Sequence, residues 1–152
     1  MTPRRLFGVL AFAEAVTWTL LITALVLRAT VHLEWAVSVA GGIHGFVFLA
    51  YAATALLVAI NQRWKLGVAA LAIGSAVVPY ATIPMEIWLQ RSGRLVGDWR
   101  REATDDPRDR GVIDRLARWF IRHPWLLLVV VVVGVAALFT VLLILGPPGG
   151  RE

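Results

Sequence analysis

Apolar residues fall into four long runs, at about residues 6–27, 35–60, 67–89 and 125–145, parted by polar stretches of very different length. Each run is long enough for an α-helix to cross a bilayer, which takes roughly 17–25 residues. Only the short connections "RATVHLE" and "NQRWKL" separate the first three, so these helices are expected to pack antiparallel as close neighbours. The opening "MTPRR" followed by apolar sequence has the look of a secretory signal. The run is too long for the roughly 7–15 residues of a signal core and contains Glu14, so it reads as a retained span.

Residues 90–124 break the pattern, with nine arginines against six acidic residues and a turn-rich "DDPRDRG" centre. Next, "VIDRLARWFIRHPW" places Val112, Ile113, Leu116 and Phe120 at helical spacing, with Arg115, Arg118 and Arg122 largely elsewhere on the wheel. Trp119 suits the headgroup zone, and an amphipathic interfacial helix is expected in preference to a solvated loop. The fourth run, "WLLLVVVVVGVAALFTVLLIL", is relieved only by Gly134 and Thr140 and reads as a lipid-facing tether. The fold class is therefore all-α integral membrane: an antiparallel helical bundle of three spans, an interfacial amphipathic helix and a fourth, C-terminal span. The expected units are a three-span domain at 4–92, a basic loop with the interfacial helix at 93–124, the last span at 125–146 and a flexible tail at 147–152.

Composition agrees, with 59% hydrophobic residues, 16% charged residues and a mean hydropathy of +0.73. The net charge of +5 comes almost wholly from arginine, since Lys65 is the only lysine. In such a chain it points to orientation and anionic lipid headgroups rather than nucleic acid. Cysteine is absent, which removes disulfides, thiolate metal sites and cysteine nucleophiles.

The arginines also expose a conflict. With four crossings, the basic residues divide five against ten between the two faces, and neither orientation is clean. If residues 67–89 instead dip in and return, broken near "PYATIP", the division becomes thirteen against two. Pro79 and Pro84 would supply the break, each lacking a backbone donor. A full crossing is the first expectation, because the stretch is continuously apolar and membrane helices tolerate proline. The returning hairpin is the alternative.

Within hydrocarbon an ionisable side chain costs several kcal/mol unless it faces protein or water, which singles out Glu14, His44 and Glu86. Glu14, Thr17 and Trp18 share one helix face through i, i+3 and i+4 spacing. In the second run, Gly41 and Gly45 form a small-xxx-small seam that admits a neighbouring helix, and Glu14 with it, to His44. Tyr51 lies on nearly the same side. Glu86 is expected to end its helix at the interface with Trp88 and Arg91. His44 is open to three readings: a neutral packing hydrogen bond, a proton or substrate site, or metal or haem ligation. The last is weakest, because His32 and His123 flank the spans and no other ligand set is visible.

No metal, cofactor or catalytic constellation is expected. There is no Gly-x-Ser-x-Gly elbow, phosphate loop, HExxH helix or CxxC pair, and "GGIHG" follows no strand. The elements "RLFGVLAFAEAVTWTLLI", "IHGFVFLAYAATALLVA", "QRWKL" and "VVPYATIPMEIWLQR" make residues 4 to about 92 resemble a family of small actinobacterial integral membrane proteins, domain of unknown function 3817, with its His-Gly pair in the second span. The resemblance implies that Glu14, His44, Gly45, Tyr51, Trp64, Pro79 and Glu86 occupy the family's characteristic positions. It selects residues, not a chemistry. Gly42 stands where the family commonly has proline and Ile87 where it often has arginine, so a Glu-Arg pair in the third span is missing.

The functional expectation is a multi-pass protein of the cell (plasma) membrane, embedded in the lipid bilayer and noncatalytic. It would serve in interaction or assembly, with a homo-oligomer or another membrane protein as partner. The alternative is an oligomeric proton-linked transporter or small-molecule binding protein using Glu14 and His44.

Overall fold

The computed structural model describes residues 1–145, and the expected tail at 147–152 lies outside the described residues. Helix α1 (Pro3–Val31) starts where the Thr2 hydroxyl accepts the Arg5 N–H at 3.3 Å, with proline in the first turn, where no helical hydrogen bond is lost. His32 ends it in a left-handed conformation, and the chain reverses at once into α2 (Glu34–Asn61). At ~1.5 Å per residue both helices exceed the ~30 Å of a hydrocarbon core. They pack through Ala24, Ala36 and Ala40 near the turn, and through Phe7, Ala11, Tyr51, Ala55 and Val58 towards the other end.

The all-helical membrane bundle stands, but its third apolar run takes the returning course rather than the full crossing. Helix α3 (Leu66–Gly74) tightens into a 3₁₀ turn at Ser75–Val77, residues 78–81 reverse the chain, and α4 (Thr82–Arg91) runs back along α1. Contacts with successive levels of α1 trace the descent: Tyr80 meets Thr19, Thr82 meets Ala11, Glu86 lies against Gly8, and Gln90 meets Arg4. Both feet of the hairpin stand at the same end of the bundle, where the Trp64 indole donates to the Arg94 carbonyl at 2.9 Å. The cause is local. Pro79 pushes Val78 out of helix into extended backbone (φ −102°, ψ 126°), and Tyr80 then turns the chain with φ of 64°. Pro84 is not a kink, because it occupies the first turn of α4, where backbone donors have no helical partner.

Residues 92–111 fold beneath the hairpin's feet and lead to α5 (Val112–Arg122) and α6 (Pro124–Leu145). Arg100 caps the C-terminus of α2, donating to the Asn61 carbonyl at 2.6 Å and the Ile60 carbonyl at 2.7 Å, where a cation suits the helix dipole. Asp109 is the hub of this cap: it accepts from Arg63 at 2.6 Å, Arg100 at 2.9 Å, Arg118 at 2.8 Å, and both the N–H and hydroxyl of Thr104 at 2.7 Å. The two Thr104 bonds, followed by Arg63, hold its carboxyl well below the usual carboxylate range.

Two expectations for this region change. Arg118 does not face headgroups but is buried against Asp109, because the cap needs a cation there more than the interface does. Helix α6 is exposed along most of its length, as a lipid-facing span is, but it is not free of the bundle, since Val135 is buried and the Phe139 ring lies against Gly45 of α2. The apolar face of α5, Val112, Ile113, Leu116 and Trp119, is exposed.

Candidate functional site

The i, i+3, i+4 spacing on α1 turns Glu14, Thr17 and Trp18 towards His44 of α2. Glu14 is 0% exposed, Thr17 5% and His44 9%. The Thr17 hydroxyl donates to the Glu14 backbone carbonyl at 3.0 Å and lies 3.1 Å from His44 Nδ1. With its single hydrogen committed to the carbonyl, the contact is satisfied when Nδ1–H donates to the hydroxyl oxygen. Glu14 Oε2 is 3.9 Å from the same Nδ1. Neither carboxyl oxygen of Glu14 has a hydrogen-bond partner among the described residues.

The hairpin apex reaches this cluster. The Trp18 indole donates to the Ala76 carbonyl at 3.2 Å while its ring lies 4.4 Å, centroid to centroid, from the His44 imidazole. Tyr51, one and two turns along α2 from Phe48 and His44, does not touch His44. Its hydroxyl donates to the Ala72 carbonyl at 2.9 Å and meets Ser75 Oγ at 3.1 Å. Thr82 donates to the Ala11 carbonyl at 3.0 Å. These side chains supply the partners that a broken helix needs inside a membrane, where water cannot.

The remaining sequence-predicted residues lie elsewhere. Glu86 is half-buried with Oε1 facing Gly8, where an added Cβ would stand 3.3 Å away. Trp88 is exposed and stacks under Arg94, 4.5 Å from the ring centroid, rather than serving Glu86. The glycine seam is shared between two helices: a Cβ at Gly41 would meet Leu21 of α1, the helix that brings Glu14 to His44, at 3.9 Å, whereas one at Gly45 would meet Phe139 of α6 at 3.0 Å. Arg115 and Trp119 are exposed on α5, and Arg122 donates to the Arg101 carbonyl at 2.6 Å. Pro79 sits at the apex turn and Pro84 in α4, both away from the imidazole's contacts.

Sequence reasoning missed Ser75, Thr82, the carbonyls of Ala72 and Ala76, and Phe139. Hydroxyls in an apolar run were a usable signal for the first two. Nothing local marks which carbonyls a fold will open. Among the described residues no group of three His, Asp or Glu side chains is placed to hold a metal ion.

Over 93 residues, 60% of its length, the chain is 39% identical to a Streptomyces coelicolor protein named as a membrane protein, and it spans 11% of that curated relative. No solved structure matches the chain. Residues 4–91 match the family model described as domain of unknown function 3817, and since this is more than half of the 152 residues and covers the whole Glu14–His44 cluster and its hairpin, the chain belongs to that family.

Proposed function

We propose that this protein is a proton-linked binding or transport unit of the cell membrane, acting through Glu14, Thr17 and His44 on a small molecule or ion. One observation carries the reading: a fully buried carboxyl whose oxygens receive no hydrogen bond from the described residues, beside an imidazole. A buried carboxyl is tolerable when neutralised by a bound proton or a nearby cation, and Glu14 and His44 offer the two places for one exchangeable proton. Trp18 links the state of His44 to the hairpin, because one side chain lies tilted against the imidazole and bonds the Ala76 carbonyl. Moving a proton in the cluster then biases the apex, which supplies coupling. With so few helices, enclosing a pathway calls for a homo-oligomer.

The basic end of the bundle, with Arg4, Arg5, Arg63, Lys65 and the arginines of 90–124, is the cytoplasmic one in this reading. The assembly role, which the sequence put first, has weaker support than its sequence motives implied. The glycine seam is filled within the chain by Leu21 and Phe139, and three arginines are spent on Asp109.

Infrared difference spectra of the purified full chain between acid and alkaline solution test the proposal. A protonated-carboxyl band should vanish in Glu14→Gln and shift in His44→Gln, with both variants folded by circular dichroism. A spectrum indifferent to either substitution overturns the coupled site.

A further inference from the structure

We propose that the wedge between α2 and α6 binds one acyl chain of an anionic phospholipid, with the lipid phosphate at Arg101. The antiparallel helices touch where Phe139 meets Gly45, which closes the wedge in mid-membrane. Towards the basic end they part around a cavity of about 510 Å³. Ala50 and Ala53 leave room on the α2 wall, Val131 and Val135 form the α6 wall, and the mouth carries Trp99 and Arg101.

The walls are almost wholly apolar, and the mouth opens at the level where the chain leaves the hydrocarbon for the aqueous cap. That is the division of a phospholipid. The volume lies within the roughly 300–1,000 Å³ of small-ligand sites. It equals only about one turn of an α-helix with its side chains, taking a 10–12 Å diameter and 5.4 Å pitch, so the wedge is too small to seat a partner helix.

Charge at the mouth selects the headgroup. Arg63, Arg100 and Arg118 are balanced by three carboxylates, Asp106, Asp109 and Asp114. Arg101 is exposed and has no ion pair among the described residues. Its carbonyl accepts from Arg122 Nε at 2.6 Å, which fixes the backbone at this rim, although Arg122 does not itself line the cavity. Trp99 is fixed at the same rim by its indole bond to the Met1 carbonyl at 2.8 Å. Glu102 follows Arg101 in sequence and is exposed, but it does not line the cavity. The Arg101 guanidinium above an apolar slot matches a phosphodiester on an acyl chain, since arginine binds phosphate through paired donors.

Native mass spectrometry of the detergent-purified full chain, titrated with dioleoylphosphatidylglycerol or dioleoylphosphatidylcholine, reads the site directly. One phosphatidylglycerol should be retained in preference to phosphatidylcholine. Arg101→Gln should weaken its retention about five-fold, the effect of one basic contact at a membrane surface, and narrow the preference. Ala53→Trp, which fills the slot, should abolish retention; if it does not fold, Val131→Phe fills the slot from the opposite wall. Equal retention of the two lipids by the wild-type chain overturns the headgroup assignment, and retention that survives the filled slot overturns the site.

Discussion

Glu14 and Asp109 are both buried carboxylates, 0% and 2% exposed, yet their surroundings are opposite. Asp109 lies in the aqueous cap and gathers three arginines and a threonine around one carboxyl group. Glu14 lies inside the bundle with one imidazole at 3.9 Å and no hydrogen bond to its oxygens. A carboxylate saturated with charge-assisted bonds is held in one state, and breaking a buried pair of that kind leaves uncompensated charge. A carboxyl left bare by its neighbours is open to exchange with a proton or cation. The cap is thus built as a fixed clamp, and the cluster under the hairpin apex as the variable part.

The contrast requires both regions to sit as described, and the largest test is all-or-none. With single cysteines at Thr2, Lys65 and Asp105, all three should label from one face of intact cells with a membrane-impermeant maleimide, and one at His32 from the other. Labelling of Thr2 and Asp105 from opposite faces would mean that residues 66–91 cross, and the cap would lose its place under the hairpin's feet.

Next in size is Asp109→Asn, which strips the clamp of its charge and leaves Arg118 buried without its partner. Residues 92–111 should lose hydrogen-exchange protection while the membrane helices keep theirs. The pH response follows the same logic. Because the folded carboxyl sits below its unfolded value of about 3.9, the clamp is fully present above that pH and weakens as pH falls beneath it. Exchange in 92–111, corrected for intrinsic rates, should therefore be flat from pH 8 to 5 and rise under about pH 4. A loss of protection between pH 7 and 5 would contradict the clamp.

Gly45→Val places a Cβ 3.0 Å from the Phe139 ring and should destabilise the docking of α6 by about 1–3 kcal/mol, as overpacking does. Thermal unfolding in detergent would register it, and an unchanged midpoint would mean that α6 is loosely held. Smaller again, Thr82→Val removes the donor to Ala11 and should cost about 0.5–1.7 kcal/mol, the range of side-chain hydrogen bonds between membrane helices. Glu14→Gln should change stability least of all. A drop as large as that of Gly45→Val would make Glu14 a structural anchor and erase its difference from Asp109.

Much of this arrangement was legible in the residues. The apolar runs marked α1, α2 and α6 because hydrocarbon thickness sets their length, and Glu14 and His44 stood out because charge is expensive there. The arginine count even favoured the returning hairpin, yet continuous hydropathy pulled towards a straight crossing. Hydropathy measures solubility in lipid, and a hairpin buried against protein satisfies it equally well. The glycine seam was legible as a close approach, but only Gly41 faces the helix that carries Glu14 and Gly45 takes Phe139 of α6, since a small residue advertises space without naming what fills it.

By itself the sequence determined that this chain is a helical membrane protein, where its apolar runs lie, and which ionisable groups lie within them, because composition and period act locally. Only the tertiary structure decided that residues 66–91 turn back, that Trp18 joins the apex to His44, that Asp109 rather than lipid claims Arg118, and that α6 leaves a wedge beside α2. Each of these depends on partners distant in the chain, whose hydrogen bonds and contacts exist only after the helices have packed.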